Sequence, residues 1–145
     1  MKMKKIIAFI TLFFTSTATV FAQTGDIQGV WLNSDKDAKV QIYKAGETYS
    51  GKIIWIRDMY EADGKTLKKD SKNPNDNLKT RTILNLNILG GFNYVGDEWK
   101  GGQLYDPKTG KTYKSTMKLR GAMLEIRGYV GSPIFGKTTV WTRTS

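Results

Sequence analysis

Between Glu98 and Gly131 the chain alternates between apolar and polar residues through two consecutive runs, each bounded by a tight turn. Tyr113, Ser115, Met117 and Leu119 fall on one phase, and Thr112, Lys114, Thr116 and Lys118 on the other. A period of two is the mark of a strand with one buried and one wet face. Asp106-Pro107-Lys108-Thr109-Gly110 precedes this run as a turn: Pro107 holds φ near −65°, and Gly110 can take positive φ without steric cost. Arg120-Gly121-Ala122-Met123 reverses the chain after it. Leu124, Ile126, Gly128 and Val130 are then expected inward, and Glu125, Arg127 and Tyr129 outward. Half-buried strands joined by short links make an antiparallel sheet, so the chain is confined to all-β architectures.

The flanks extend the same pattern. Strands are expected over 25–32, with Gly29-Val30-Trp31 at its core, over 38–44 and over 48–56. In the third, Tyr49, Gly51, Ile53 and Trp55 share a phase, while Ile54 and Ile56 make the other side apolar as well. Further strands are expected over 82–89, continuing through Gly90-Gly91 to Val95, then over 99–105 and 137–143. Residues 57–81 break the rhythm with seven basic and five acidic side chains, and read as a long polar loop or hairpin extension tipped at Asp63-Gly64. Counting back from Gly64 puts Met59 where a calcium loop needs its first acid, so an EF-hand reading fails. Eight or nine short strands at even spacing mean a barrel or a sandwich.

Composition restricts function more than fold. Lys2, Lys4 and Lys5 precede an apolar run from Ile6 to Phe14, and Val20-Phe21-Ala22 supplies a small-residue cleavage site. Residues 1–22 therefore read as a secretory signal peptide, residues 23–145 as the barrel domain, and the location as periplasmic or secreted. No transmembrane segment is expected after cleavage. Of the 23 basic residues three lie in that segment and no acid does, which leaves 20 against 13 acids, a net +7. Outside the cytoplasm such a surface meets lipid headgroups and acidic glycans rather than nucleic acid. The chain has no Cys and no His, so the usual zinc ligands, thiol nucleophiles and imidazole bases are absent. Glu125 lies mid-strand with no second acid placed to pair with it, and no Gly-x-Ser-x-Gly occurs. These features point away from an enzyme, and no metal or cofactor is expected.

Gly29-x-Trp31 opens the first strand and Trp141-x-Arg143 ends the last. In an up-and-down barrel those strands are neighbours, and the guanidinium can stack on the indole. This pairing resembles the calycin superfamily of lipocalins and fatty-acid-binding proteins. Four elements are similar to a family of small exported bacterial domains of unknown function. They are Gly29-Val30-Trp31; Asn73-Pro74 followed by Arg81; Trp99-Lys100-Gly101-Gly102 running into Tyr105 and the turn to Tyr113; and Arg127-Gly128-Tyr129 with Trp141-Thr142-Arg143. The resemblance implies a lipocalin-like antiparallel barrel of about eight strands and an envelope location, and it implies no particular activity.

An eight-stranded barrel can hold one small ligand. Candidate lining residues are Tyr49, Trp55, Trp99, Tyr105, Tyr113 and Met117, with Arg81 as a clamp for a carboxylate or phosphate. Each aromatic is equally compatible with core packing. Lys111 and Arg127 are further polar candidates, with Arg127 on the outward phase. Gly29, Trp31, Asp106, Gly110 and Arg143 are assigned structural roles, Asp106 as the cap of its own turn. The leading expectation is a non-enzymatic barrel binding a small amphipathic or lipid-like ligand. The alternative is a surface module binding an anionic envelope polymer or a partner protein through the 57–81 loop.

Overall fold

The computed structural model describes residues 26–145; the signal-peptide reading of residues 1–22 lies outside them. Eight antiparallel strands follow in chain order: β1 (Gly29–Leu32), β2 (Ala38–Ala45), β3 (Thr48–Ile56), β4 (Asn87–Val95), β5 (Glu98–Asp106), β6 (Lys111–Arg120), β7 (Met123–Tyr129) and β8 (Lys137–Thr144). Each pairs with the next, and β1 pairs with β8, so the sheet closes into a barrel without an edge. At the seam Trp31 lies between Val40 of β2 and Arg143 of β8. The Arg143 guanidinium stands 4.4 Å from the centroid of the Trp31 ring. Its Nη1 donates to the Gln28 carbonyl at 2.9 Å and its Nη2 to the Asp26 carbonyl at 2.6 Å. Gly29 is needed here: φ is +129°, and a Cβ would lie 2.9 Å from Arg143 Nη1.

The end of the barrel that carries this seam is solid. Trp31, Phe92, Trp99, Ile42, Leu89, Met117 and Leu124 are buried inside it. The Phe92 ring lies against β5 so closely that a Cβ on Gly102 would sit 2.4 Å from its atoms. This glycine is required by packing rather than by its backbone angles. The opposite end carries the β1–β2 loop, the β5–β6 turn, the β7–β8 loop and the long segment between β3 and β4. The barrel is thus filled at one end and lined with cavities at the other.

Three expectations are corrected. The strand expected from 82 begins at Asn87, because Asn85 takes φ +69° and Leu86 N–H closes a turn on the Ile83 carbonyl. The first strand starts at Gly29 rather than at 25. Val130 lies beyond the end of β7 and is 71% exposed rather than inward.

Bulges correct two further readings. In β3, Trp55 pairs with Lys39 but Ile53 pairs with Val40, so Ile54 is an extra residue and the phase reverses there. Trp55 consequently shares the outer face with Lys39, whose ammonium lies 5.5 Å from its ring, and Ile56 packs on the core instead. This accounts for a strand that looked apolar on both sides. In β5 the register shifts between Trp99 and Gly102 at Gly101, whose φ is +73°. Trp99 and Tyr105, on one phase by simple alternation, therefore end on opposite faces.

A cavity at the barrel mouth and a locked loop

The open end holds a cavity of about 360 Å³. Its wall is apolar, from Ile88, Leu104, Tyr113, Ile126 and Trp141, with Gly128 leaving space between them. Its rim is polar and includes Asn33, Asp35, Lys108 and Lys137. A smaller chamber of about 210 Å³ lies under the long loop, walled by Ile53, Ile56 and Ile83. Asn33, Asp106 and Lys108 line both spaces and so form the partition between them.

That partition is a clasp of charges. Lys108, in the β5–β6 turn, places its Nζ 2.5 Å from Asp37 Oδ2 and 3.4 Å from Asp35 Oδ2, tying the turn to the β1–β2 loop. Asn33 holds the other Asp37 oxygen at 2.7 Å and accepts from the backbone N–H groups of Asp37 and Ala38. Partial burial pushes the Asp37 carboxyl up, but the Lys108 and Asn33 donors outweigh it and its pKa falls below the ordinary value. Hydrogen bonding to Asp37 raises the Lys108 pKa despite its own desolvation. Asp106 accepts from Lys108 N–H at 2.9 Å, and its carbonyl accepts from Thr109 and Gly110.

The segment from 57 to 86 is built, not loose. Tyr60 and Leu67 form an antiparallel bridge around the Asp63-Gly64 tip, where Asp63 accepts from the N–H groups of Lys65 and Thr66. A hydrogen bond from the Thr66 hydroxyl, with those two N–H groups, brings the exposed Asp63 carboxyl down to a pKa of about 2. Lys69 and Thr82 form a second bridge. Between its arms lies Asp70, which is fully buried. Its Oδ1 accepts from the Tyr105 hydroxyl, and its Oδ2 accepts from Asn73 Nδ2 at 2.9 Å and from Arg81 Nε at 3.0 Å. Arg81 Nη2 approaches the same oxygen to 3.0 Å, and the guanidinium lies 5.9 Å from the Tyr105 ring. Burial, reinforced by the hydrogen bond to Asp70, raises the Tyr105 pKa to about 12. Close by, the Lys72 carbonyl rests on Gly110: φ there is +75°, and a Cβ would fall 1.9 Å from that oxygen. The loop and the β5–β6 turn are thus docked by one buried carboxylate and one obligatory glycine.

The expected site residues divide as follows. Tyr113 lines the mouth cavity from inside the barrel, and Tyr105 borders it from the outer face of β5. Tyr105 and Arg81 also line a groove of about 660 Å³ on the barrel's outer wall, between Asn73, Pro74 and Leu78 of the loop and the glycines of β4 and β5. Trp99 and Met117 are instead packed core, and Tyr49 meets the Trp99 ring edge-on at 6.1 Å in the same solid end. Trp55 faces outward. Lys111 is exposed, and Arg127 lies on the outer face, donating to the Pro133 carbonyl at 2.7 Å. Sequence reasoning missed Asp70 and Asn73 as a docking pair, and Asp37 with Lys108 as a clasp. Asp70 stands in the charged string Lys68-Lys69-Asp70-Ser71-Lys72, which reads as a solvated face. The one signal was Asn73-Pro74 followed by Arg81. Among the described residues no three acidic side chains converge as a metal site would require. No helix among them is long and apolar enough to cross a membrane.

Comparison with known proteins places these features. A chain from a solved structure described as "Protein HP1028 from the human pathogen Helicobacter pylori belongs to the lipocalin family" superposes with a TM-score of 0.72 at 27% identity, covering 83% of this chain and 84% of that one. No curated protein matches the chain. The family model described as "Uncharacterized protein conserved in bacteria (DUF2147)" matches residues 29–143, the span from the Gly29 seam to Arg143. The chain is a closed eight-stranded barrel of lipocalin-like fold, a fold that suggests small-ligand binding, and it belongs to this bacterial family of uncharacterized proteins.

Proposed function

We propose that the protein is an exported, non-enzymatic binder of a small amphipathic ligand, held at the barrel mouth. The observation that carries this is the mouth cavity itself: an apolar wall ending at a polar rim that includes Lys137. About 360 Å³ lies at the small end of ligand sites, which favours a short chain or a compact ring over a long acyl chain. The apolar part would lie against Ile88, Ile126 and Trp141, with an anionic head at Lys137. Tyr113 is the aromatic of the expected set best placed to line it. Export rests on the N-terminal segment, and the non-enzymatic reading on the missing acid pair and the absent His and Cys.

Gly128 provides the test. A Cβ there would meet Tyr113 and Leu104 at 3.5 and 3.6 Å, ordinary contact distances, so a side chain can enter the cavity without backbone strain. Octanoate titrated into the wild type should quench tryptophan fluorescence through Trp141, and Gly128→Leu should abolish the response while melting cooperatively. Native mass spectrometry of protein purified from its envelope fraction should show a bound small molecule that the variant lacks. Absence of any ligand in both measurements would count against this reading.

The outer groove, with Arg81 in its wall, favours a second reading, in which an anionic envelope polymer lies along it and reaches the exposed lysines of the loop outside it. Substituting the exposed Lys65, Lys69 and Lys72 with Ser should then weaken retention on an immobilised polyanion without affecting octanoate binding. Unchanged retention would exclude it.

A further inference from the structure

The β7–β8 loop carries the most exposed apolar side chains among the large ones described. Val130 is 71%, Ile134 77% and Phe135 81% exposed. Residues 130–136 contain no charge. Side chains of this kind are normally buried, and a cluster of them rimmed by polar residues marks an interaction surface. The loop is also held in place. Arg127, from the outer face of β7, donates through Nε to the Pro133 carbonyl at 2.7 Å, through Nη2 to the Ile134 carbonyl at 3.5 Å and through Nη1 to Thr138 Oγ1 at 2.9 Å. Pro133 to Phe135 form one 3-10 turn, closed by Gly136 N–H on the Pro133 carbonyl. Gly136 lies so close to β7 that a Cβ would be 2.7 Å from the Gly128 carbonyl. Ile134 and Phe135 are therefore displayed on a braced tip, with the ordering already done before any partner arrives.

The surroundings identify the partner. The halves of β6, β7 and β8 that run to this loop carry Lys111, Lys114, Arg127 and Lys137 and no acid, while Asp35 and Asp106 on the mouth face Lys108. Lys114 stands beside the loop's base, on β6 in register with Tyr129, and Lys137 follows it directly. Glu125 pairs with Arg120, whose strand end lies at the solid end of the barrel. A protruding tip of three apolar side chains is too small for a stable protein–protein interface, which needs about 800 Å² per partner. It suits shallow insertion among headgroups, with flanking lysines drawn to anionic lipid.

We infer that the β7–β8 loop docks the barrel mouth on an anionic phospholipid bilayer, with Ile134 and Phe135 inserted and Lys114 and Lys137 on the headgroups. Lys137 also lines the mouth cavity, so docking brings the opening against the lipid surface. The orientation deepens the ligand reading above, but the docking itself does not require it.

The test uses the chain from Gln23, which contains the whole barrel and omits the apolar N-terminal segment. It is co-sedimented with vesicles of phosphatidylethanolamine and phosphatidylglycerol at 3:1, and with vesicles of phosphatidylcholine alone. The wild type should partition onto the anionic vesicles and be released by salt. Ile134→Ser/Phe135→Ser should lose binding by about a hundredfold, since each buried side chain of this size contributes roughly tenfold or more. Lys114→Gln/Lys137→Gln should weaken binding and flatten its salt dependence. Gly128→Leu should bind vesicles as the wild type does, so a failure of the ligand reading leaves this result standing. Equal partitioning of wild type and the Ile134/Phe135 variant would overturn the inference, as would no vesicle binding. So would a concentration-dependent dimer that the same variant dissolves without any effect on vesicles.

Discussion

Replacing Asp70 with Ala should release the long loop from the barrel. Asp70 is fully buried and accepts from three residues: Tyr105, Asn73 and Arg81. Truncation leaves the Tyr105 hydroxyl without its acceptor and the buried Asn73 amide with only the Tyr105 oxygen at 3.3 Å, at about 1–3 kcal/mol for each poorly satisfied group. Arg81 contributes less, because its side chain is 38% exposed and can turn to water. The total comes to about 3–5 kcal/mol, the range for removing one partner of a buried ion pair. None of the barrel's ladder hydrogen bonds passes through Asp70, so the loss should fall first on the loop. Native-state hydrogen exchange should show the amides of Asp70, Asn73 and Ile83 opening at a much lower free energy, while those of β6 and β7 keep theirs. Denaturant melts should lose at least 2 kcal/mol if loop and barrel unfold together. Asp70→Asn, which keeps the shape and one acceptor, should fall between. A loss under about 1 kcal/mol with unchanged exchange in the loop would refute the docking role of this carboxylate.

Gly110→Ala places a Cβ against the Lys72 carbonyl at a positive φ, and should cost about 3 kcal/mol or more by thermal unfolding; a neutral result would mean the loop does not rest there. Arg143→Ala removes the stack on Trp31 and two donors to the carbonyls of Asp26 and Gln28, and should cost about 1–3 kcal/mol in urea melts. The Asp37 pKa is depressed in the fold, so its contribution is complete above the ordinary value of 3.8 and is lost as pH falls through the lower folded value. A pH titration of the melting temperature should show this loss in the wild type and not in Asp37→Asn; an identical acid profile in both would exclude the clasp as its source.

Much of the barrel is legible because it is written locally. The Asp106–Gly110 turn, the alternation through β6 and β7, and the tip at Asp63-Gly64 each depend on a few adjacent residues. Closure was readable from one long-range clue, a Gly-x-Trp at one end of the domain and a Trp-x-Arg at the other. The loop was harder. Asp70 looks like one charge among many, and only its placement between Tyr105, Asn73 and Arg81 shows that it is buried and shared.

Which aromatic faces the interior was decided by the tertiary structure. Counting by twos puts Trp55 with Ile53 and Tyr105 with Trp99. One extra residue at Ile54 and the register shift at Gly101 reverse both assignments. A bulge is a mismatch in residue count between two paired strands, so neither strand records it alone. Pattern along the chain established most of the strands and their order. Pairing across the sheet then set which side chains fill the solid end and which surround the mouth, because inside and outside exist only once the ring has closed.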